Sequence, residues 1–275
     1  MSNLTSPVVV PRLDAPGRLT QARVFVSEWT KLRSLRSTRW SLLAAAVMAI
    51  GLPVLVSAVI GSHWSTMSAR DRAGQNPVDI ALAGVGIAQL AIAVLGVLVI
   101  TGEYSTGMIR ASLTAVPKRL PVLWAKAGIY AAVTFALMLP AVLIAFFGSQ
   151  AILGRHDILQ TSLGDPGVAR AVFGGAVYLM LVGVLALAIG AILRNTAGSI
   201  SAFAALFFVV RPLLLLLPSN WDNAISPYLP SEAGSAILAT GSTDGLSPLP
   251  GFALFVGYIA LALVVAAVLL VRRDA

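Results

Sequence analysis

Six apolar runs dominate this 275-residue chain, at 40–61, 80–100, 123–147, 171–193, 200–217 and 252–271. Each is close to the ~20 residues that a helix needs to cross ~30 Å of hydrocarbon. Lipid offers no partner to an unpaired N–H or C=O, so each run must satisfy its backbone internally, and a helix does this within one segment. The composition leaves no soluble alternative. It is 58% hydrophobic and 11% charged, whereas a soluble domain carries about a quarter charged residues. The sequence therefore predicts an all-α membrane protein with six transmembrane helices.

Charge placement predicts the orientation. The first 39 residues are polar and basic, with no short apolar core followed by a cleavage signal. The expectation is that no signal peptide is removed and that the N-terminus stays in the cytoplasm. Lys and Arg are retained on that side. The cytoplasmic segments would then carry Arg12, Arg18, Arg23, Lys31, Arg33, Arg36 and Arg39, then Arg110, Lys118, Arg119 and Lys126, then Arg194, then Arg272 and Arg273. The outer segments carry only Arg70, Arg72, Arg155 and Arg170, and the stretch 219–250 has no basic residue but holds Asp222, Glu232 and Asp244. Both termini are expected in the cytoplasm. Topology accounts for the net charge of +8, and no basic–aromatic alternation suited to nucleic acid lies outside the membrane-flanking segments. With no cysteine, disulfides, thiolate metal sites and thiol nucleophiles are excluded.

Three parts follow along the chain. Residues 1–17, with Pro7, Pro11 and Pro16, read as a disordered cytoplasmic tail. In 18–39, the apolar positions Ala22, Phe25, Trp29, Leu32 and Leu35 recur at steps of three and four. Arg23, Ser27, Lys31, Ser34 and Arg36 fall between them, with Arg33 following Leu32. That pattern predicts an amphipathic helix lying in the membrane interface, as a basic anchor or as part of a moving element. Residues 40–275 form the six-helix domain. The loops 62–77 and 148–167 are expected to have no fold of their own. The outer stretch 219–250 contains Trp221, Pro227, Tyr228, Leu229 and Pro230. It is too broken to span but has aromatics suited to interface depth, so it reads as re-entrant helices capping the outer end or as an ordinary surface loop. Pro53 and Pro140 are candidate kinks. Gly84 with Ala88, Ala186 with Gly190, and Gly198 with Ala202 mark close helix approaches, more naturally within the subunit than between copies.

The cytoplasmic stretch 102–118 is the most specific signal. Gly102 is expected to end the second span, Glu103 places a carboxylate at the boundary, and Ser105 or Thr106 caps a short helix through Arg110 that Pro117 stops. Three segments together resemble the ABC-2 family of ATP-binding-cassette transporter permeases: Gly102 Glu103 Tyr104 Ser105 Thr106 Gly107 Met108 Ile109 Arg110 with Pro117 and Arg119, Ser27 Glu28 Trp29 Thr30 Lys31 Leu32 Arg33 before the first span, and Ser226 Pro227 Tyr228 Leu229 Pro230 outside. The order of six spans agrees, and the resemblance covers the chain from about Arg23 onward.

The resemblance implies a type V exporter-like permease subunit in a bacterial plasma membrane. A second permease subunit, identical or homologous, would complete the pathway, with two separate ATPase subunits docked beneath. ATP and Mg would be held by those partners, and no cofactor by this chain. The run 102–118 would be the coupling helix, with Glu103, Tyr104, Ser105, Thr106, Gly107 and Arg110 as its contact residues. Residues 219–250 would be the family's outer re-entrant region.

The residues themselves agree that the motor lies elsewhere. A phosphate-cradling loop requires G-x-x-x-x-G-K-[ST], yet the lysines are Lys31, Lys118 and Lys126 and none follows a glycine. His63 and His156 lie in different outer loops without ligand spacing, so no catalytic or metal site is expected. The alternative is a secondary transporter driven by an ion gradient, but no acidic residue falls inside the six runs. Arg211 lies eleven residues beyond Ile200 in the fifth run, directly before Pro212. It would either face the pathway and attract an anionic head group, or the regular helix would end near Val210 and Arg211 would snorkel to the outer interface. In the absence of native cysteine, single-cysteine labelling reports topology directly. In intact cells, Ser242→Cys should react with an impermeant maleimide, while Ser112→Cys should react only after permeabilisation.

Overall fold

The computed structural model describes residues 21–34, 36–105, 119–156, 158, 160–216, 218–241 and 245–272. Among them all regular structure is helical: α1 (Gln21–Ser34), α2 (Arg36–His63), α3 (Ala69–Ala73), α4 (Pro77–Ser105), α5 (Arg119–Gly154), α6 (Val168–Leu193), α7 (Thr196–Ala204), α8 (Val210–Leu214), α9 (Ser219–Ile225), α10 (Pro230–Ser235) and α11 (Pro248–Arg272). A π-helical turn, Ala205–Val209, joins α7 to α8, so the two form one continuous rod. Six helices are long and apolar enough to cross a membrane: Ser37–His63, Pro77–Tyr104, Leu120–Gly154, Val168–Leu193, Thr196–Leu214 and Pro248–Arg272. The fold is that of a multi-pass membrane protein.

The helices outrun the apolar runs that announced them. Gly102 does not end the second span, because α4 continues to Ser105. Likewise α5 has 36 residues, about 54 Å at 1.5 Å per residue, well beyond ~30 Å of hydrocarbon. A helix needs apolar side chains only where lipid surrounds it, so its ends extend into polar sequence unannounced. The extra turns carry Glu103 and Lys126 into helices. The loop 62–77 also holds more order than expected: Ser68 caps α3 by accepting from the Asp71 N–H. The first third of 148–167 is helical too, since α5 runs to Gly154.

Two helices form the centre. In α4 and α6, 61% and 67% of the most apolar stretch is buried, against 22% in α2 and α11 and 17% in the fifth span. Glycines let these two backbones meet. A side chain at Gly96 of α4 would strike the carbonyl of Gly183 in α6, and one at Gly190 would meet the Ile100 side chain. Tyr130 of α5 closes over the same place and donates its hydroxyl to the Ile92 carbonyl. One polar bond also crosses the core, where Tyr178 donates to Gln89 Oε1 at 2.6 Å. Gln89 in turn donates to the Gly86 carbonyl at 2.9 Å. On the other side of α4, Gly84 seats against the Met48 and Ala49 carbonyls and the Pro53 ring of α2. Gly84 and Gly190 thus serve packing within the chain, whereas Gly198 and Ala202 are both exposed.

The fifth span answers its proline with a change of helical pitch. A proline lacks an N–H and collides with the carbonyl four residues back, which for Pro212 is that of Phe208. The wider turn Ala205–Val209, in which the Val210 N–H reaches the Ala205 carbonyl, precedes it, and the helix resumes through Leu214. The regular α-helix therefore ends at Ala204 rather than near Val210, while Arg211 still lies on a helix.

A methyl group at Gly96 meets backbone that cannot swing aside. Gly96→Ala should cost on the order of 1–3 kcal/mol as overpacking, read as a lower thermal unfolding midpoint in detergent. Gly86→Ala, where an added Cβ has nothing within 4 Å, should leave the midpoint unchanged or slightly raised.

Candidate functional site

At the basic end of the bundle, α1 lies against the first turns of α5, with the Phe25 ring over Gly128. Leu32 is buried while Phe25, Trp29 and Arg33 are exposed. The contact is held by charge. Lys31 Nζ lies 2.7 Å from Glu28 Oε1 and 3.0 Å from Glu103 Oε1, and Lys126 Nζ lies 2.6 Å from Glu28 Oε2 and 3.0 Å from Glu103 Oε1. Two carboxylates and two ammoniums thus close a neutral ring across α1, α4 and α5. The side chains of Glu28, Glu103 and Lys126 are only 4–6% exposed, and that of Lys31 is 34% exposed. Isolated charges this deep would be intolerable; each is accepted because it faces opposite charge on two sides.

The ring shifts the groups it contains. Burial works against ionisation of Glu28, yet Lys126 and Lys31 outweigh it and hold the carboxyl below its ordinary value. Burial likewise works against the Lys31 ammonium, and its bonds to Glu28 and Glu103 outweigh that and raise it.

The next residue on α4 anchors a second clamp. The Arg194 guanidinium stands over the Tyr104 ring, 5.1 Å from its centre, and its Nη2 donates to the Leu269 carbonyl at 3.3 Å near the end of α11. Arg194 itself turns the corner between α6 and α7 in a left-handed conformation (φ 53°), with its N–H on the Gly190 carbonyl. Thr196 reinforces the corner by donating to Thr101 Oγ1 at 2.8 Å. The last turn of α4 is consequently a hub. Glu103 ties it to α1 and α5, and Tyr104 ties it through Arg194 to the α6–α7 corner and to α11. Ser105 closes the helix, and the remaining expected contact residues, Thr106, Gly107 and Arg110, lie outside the described residues.

At the opposite end, the segment after α8 folds into α9, a single 3-10 turn Ser226–Tyr228, α10 and a second such turn Ala236–Leu238. Pro227 and Pro230 stand at the starts of the first turn and of α10, where a missing N–H costs nothing. Leu229 is buried and Tyr228 exposed. The inner half of this cap is fixed to the bundle: Arg170 donates to the Ile237 and Ala239 carbonyls at 2.7 and 2.6 Å. Gly234 packs on Tyr178 and Phe255, and Asn76 donates to Thr240 at 3.1 Å. The outer half is held by Arg211, which pairs with Asp222 and lies 3.4 Å from Glu232. A cavity of about 400 Å³ opens beside these charges. Arg211, singled out as a pathway or interface residue, is thereby placed in an ion-paired network of the cap.

Sequence reasoning missed Glu28 and Lys126 as site residues, taking Lys126 as a marker of topology. A signal existed. Val122, Ala125, Lys126 and Ile129 share one face of α5 by their spacing, so the lysine lies on a stripe destined for burial. Comparison with protein-family models and with curated proteins finds no match for this chain.

Removing one partner from the ring leaves buried charge uncompensated. Lys126→Met should destabilise the docking of α1 by about 3–5 kcal/mol, read as faster tryptic cleavage after Arg33. Glu28→Leu combined with Lys126→Met keeps one balanced pair and should recover most of that loss. Acid should mimic the first variant. The folded value of Glu28 is depressed, so its contribution is present above the ordinary 4.5 and is lost as pH falls below that through the folded value. The contribution of Lys31 is present below 10.5 and is lost only as pH rises through its raised folded value.

Proposed function

We propose that this chain is the membrane-embedded permease subunit of an ATP-driven exporter of the ABC-2 type, energised by separate ATPase subunits. The observation that carries the reading is the hub at the end of α4. The segment 106–118 follows Ser105, the neighbour of Tyr104, and rejoins the bundle at Arg119, about two turns before Lys126. A push on that segment meets α4 and α5 where the charge ring joins them to α1, and where Arg194 joins α4 to the α6–α7 corner and α11. Force applied at one small surface is then distributed to most of the spans at once. A coupling element needs this property; a loop that only connects two spans does not.

In the proposed cycle, closure of the ATPase subunits on ATP and Mg presses on 102–118, with Arg110 at the contact, and tilts the clamped helices as a group. A pathway between this chain and a second permease subunit opens toward the capped end. The substrate class is hydrophobic or amphipathic, because the described spans place no array of charges at mid-membrane to hold a small ion. The basic end faces the cytoplasm of a bacterial cell, where the excess of Lys and Arg is retained.

The test is purification of the full chain from its native membrane. A nucleotide-binding protein should co-purify, and its ATP hydrolysis should change on reconstitution with this chain. Arg110→Glu should weaken the association at least about tenfold, since a like charge placed against a complementary surface costs more than one unit of 1.4 kcal/mol. Substrate movement by the chain alone under an ion gradient, without nucleotide, would instead establish a secondary transporter.

A further inference from the structure

We infer that the groove between α1 and α5 holds one acyl chain of an anionic phospholipid from the leaflet on the α1 side, with its phosphate on Arg33 and Arg39. The groove has a volume of about 470 Å³ and is lined by Trp29, Ile129, Ala132, Val133, Ala136 and Leu137. Ala132 and Ala136 are exposed and form its floor, between the larger side chains of Ile129, Val133, Leu137 and Trp29. Its lining on α5 carries no polar side chain. Water gains nothing there, and an alkyl chain recovers dispersion contacts with the lining side chains.

Its depth selects the occupant. Along α5 at 1.5 Å per residue, the groove begins about 5 Å inside Lys126 and ends about 16 Å inside it. That is half of the ~30 Å hydrocarbon thickness, or one leaflet. A helix from a second copy would need a continuous seat across both leaflets. Farther along α5, however, Ile144 and Phe147, each 55% exposed, project outward. A lipid tail ends where its leaflet ends, and the groove fits it.

Charge at the mouth selects the head group. Arg33 lies one turn beyond Trp29 on the same face of α1 and is exposed. Arg39 donates to the Arg33 carbonyl at 3.1 Å, which brings a second guanidinium to the same end of α1. Among the described residues neither has a carboxylate within salt-bridge distance, whereas Lys31 and Lys126 are already engaged by Glu28 and Glu103. Two exposed guanidiniums at an interface suit a phosphate, which their planar forks can grip through paired N–H donors. The inference rests on the multi-pass fold and not on coupling to an ATPase, so failure of either leaves the other standing.

The full chain is reconstituted with equal parts phosphatidylglycerol and phosphatidylcholine, returned to mild detergent and weighed by native mass spectrometry. The wild type should retain one phosphatidylglycerol. Ala132→Phe with Ala136→Phe, which fills the groove from its lipid-facing floor, should abolish retention. Arg33→Gln with Arg39→Gln should keep a lipid but reduce the preference for phosphatidylglycerol at least about tenfold, the loss of one charge-assisted bond or more. A second measurement leaves the floor of the groove intact. Quenching of Trp29, isolated by difference from Trp29→Phe, should be stronger with acyl-brominated phosphatidylglycerol than with its phosphatidylcholine counterpart. Equal quenching by both, or unchanged retention in the filled-groove variant, overturns the inference. So does loss of a dimer with lipid retention unaltered, which would make the groove an interface between copies.

Discussion

Four charges, three of them buried, meet where α1, α4 and α5 converge and govern the basic end of this molecule. Their net charge is zero, and each carboxylate faces both ammoniums. Such a ring is a poor source of raw stability, because the desolvation of its members offsets much of their attraction. Its value lies in uniqueness. A slip of α1 by one turn would leave buried carboxylates without ammoniums, and the cost of that error is several kcal/mol. An interfacial helix that could slide along a greasy surface is therefore fixed in a single register. The greasy contacts, Phe25 over Gly128 and the burial of Leu32, follow from that register.

The two ends of the bundle are built on different principles. At the basic end, tight clamps converge on consecutive residues of one helix, Glu103 and Tyr104, so that six helices share a joint. At the other end the cap is a string of short helical pieces lying over α6 and α11, with a charged cavity at its margin. Between them, α4 and α6 are held together where Gly96 and Gly183 bring the backbones into contact. The bundle thus has a stiff centre, a jointed base and a divided cap. A shape of this kind transmits tilt from the base more readily than it deforms in the middle.

The six spans were legible because lipid imposes length and apolarity on every residue it touches. What lay outside the lipid was not. Nothing in the pattern marks α5 as beginning at Arg119 or α4 as passing through Gly102, since a helix end in a polar setting obeys no hydrophobic period. Arg211 was noticed as out of place, but its partners Asp222 and Glu232 lie in short helices beyond Pro218 that no local spacing relates to it. The ring was hidden for a related reason. Glu28 and Lys126 are 98 positions apart, and each alone has an adequate explanation as a membrane-flanking charge.

The two arginines that secure the cap differ in what they ask of the sequence. Arg170 grips backbone carbonyls, which every amino acid provides, so the stretch from Ile237 to Ala239 can drift freely without loosening that half. Arg211 grips the side chains of Asp222 and Glu232, and any exchange at one of these sites obliges the others to covary. Across a lineage, the portion of the lid beside the cavity would evolve as a linked set of positions, while its neighbour a few ångströms away diversifies unhindered.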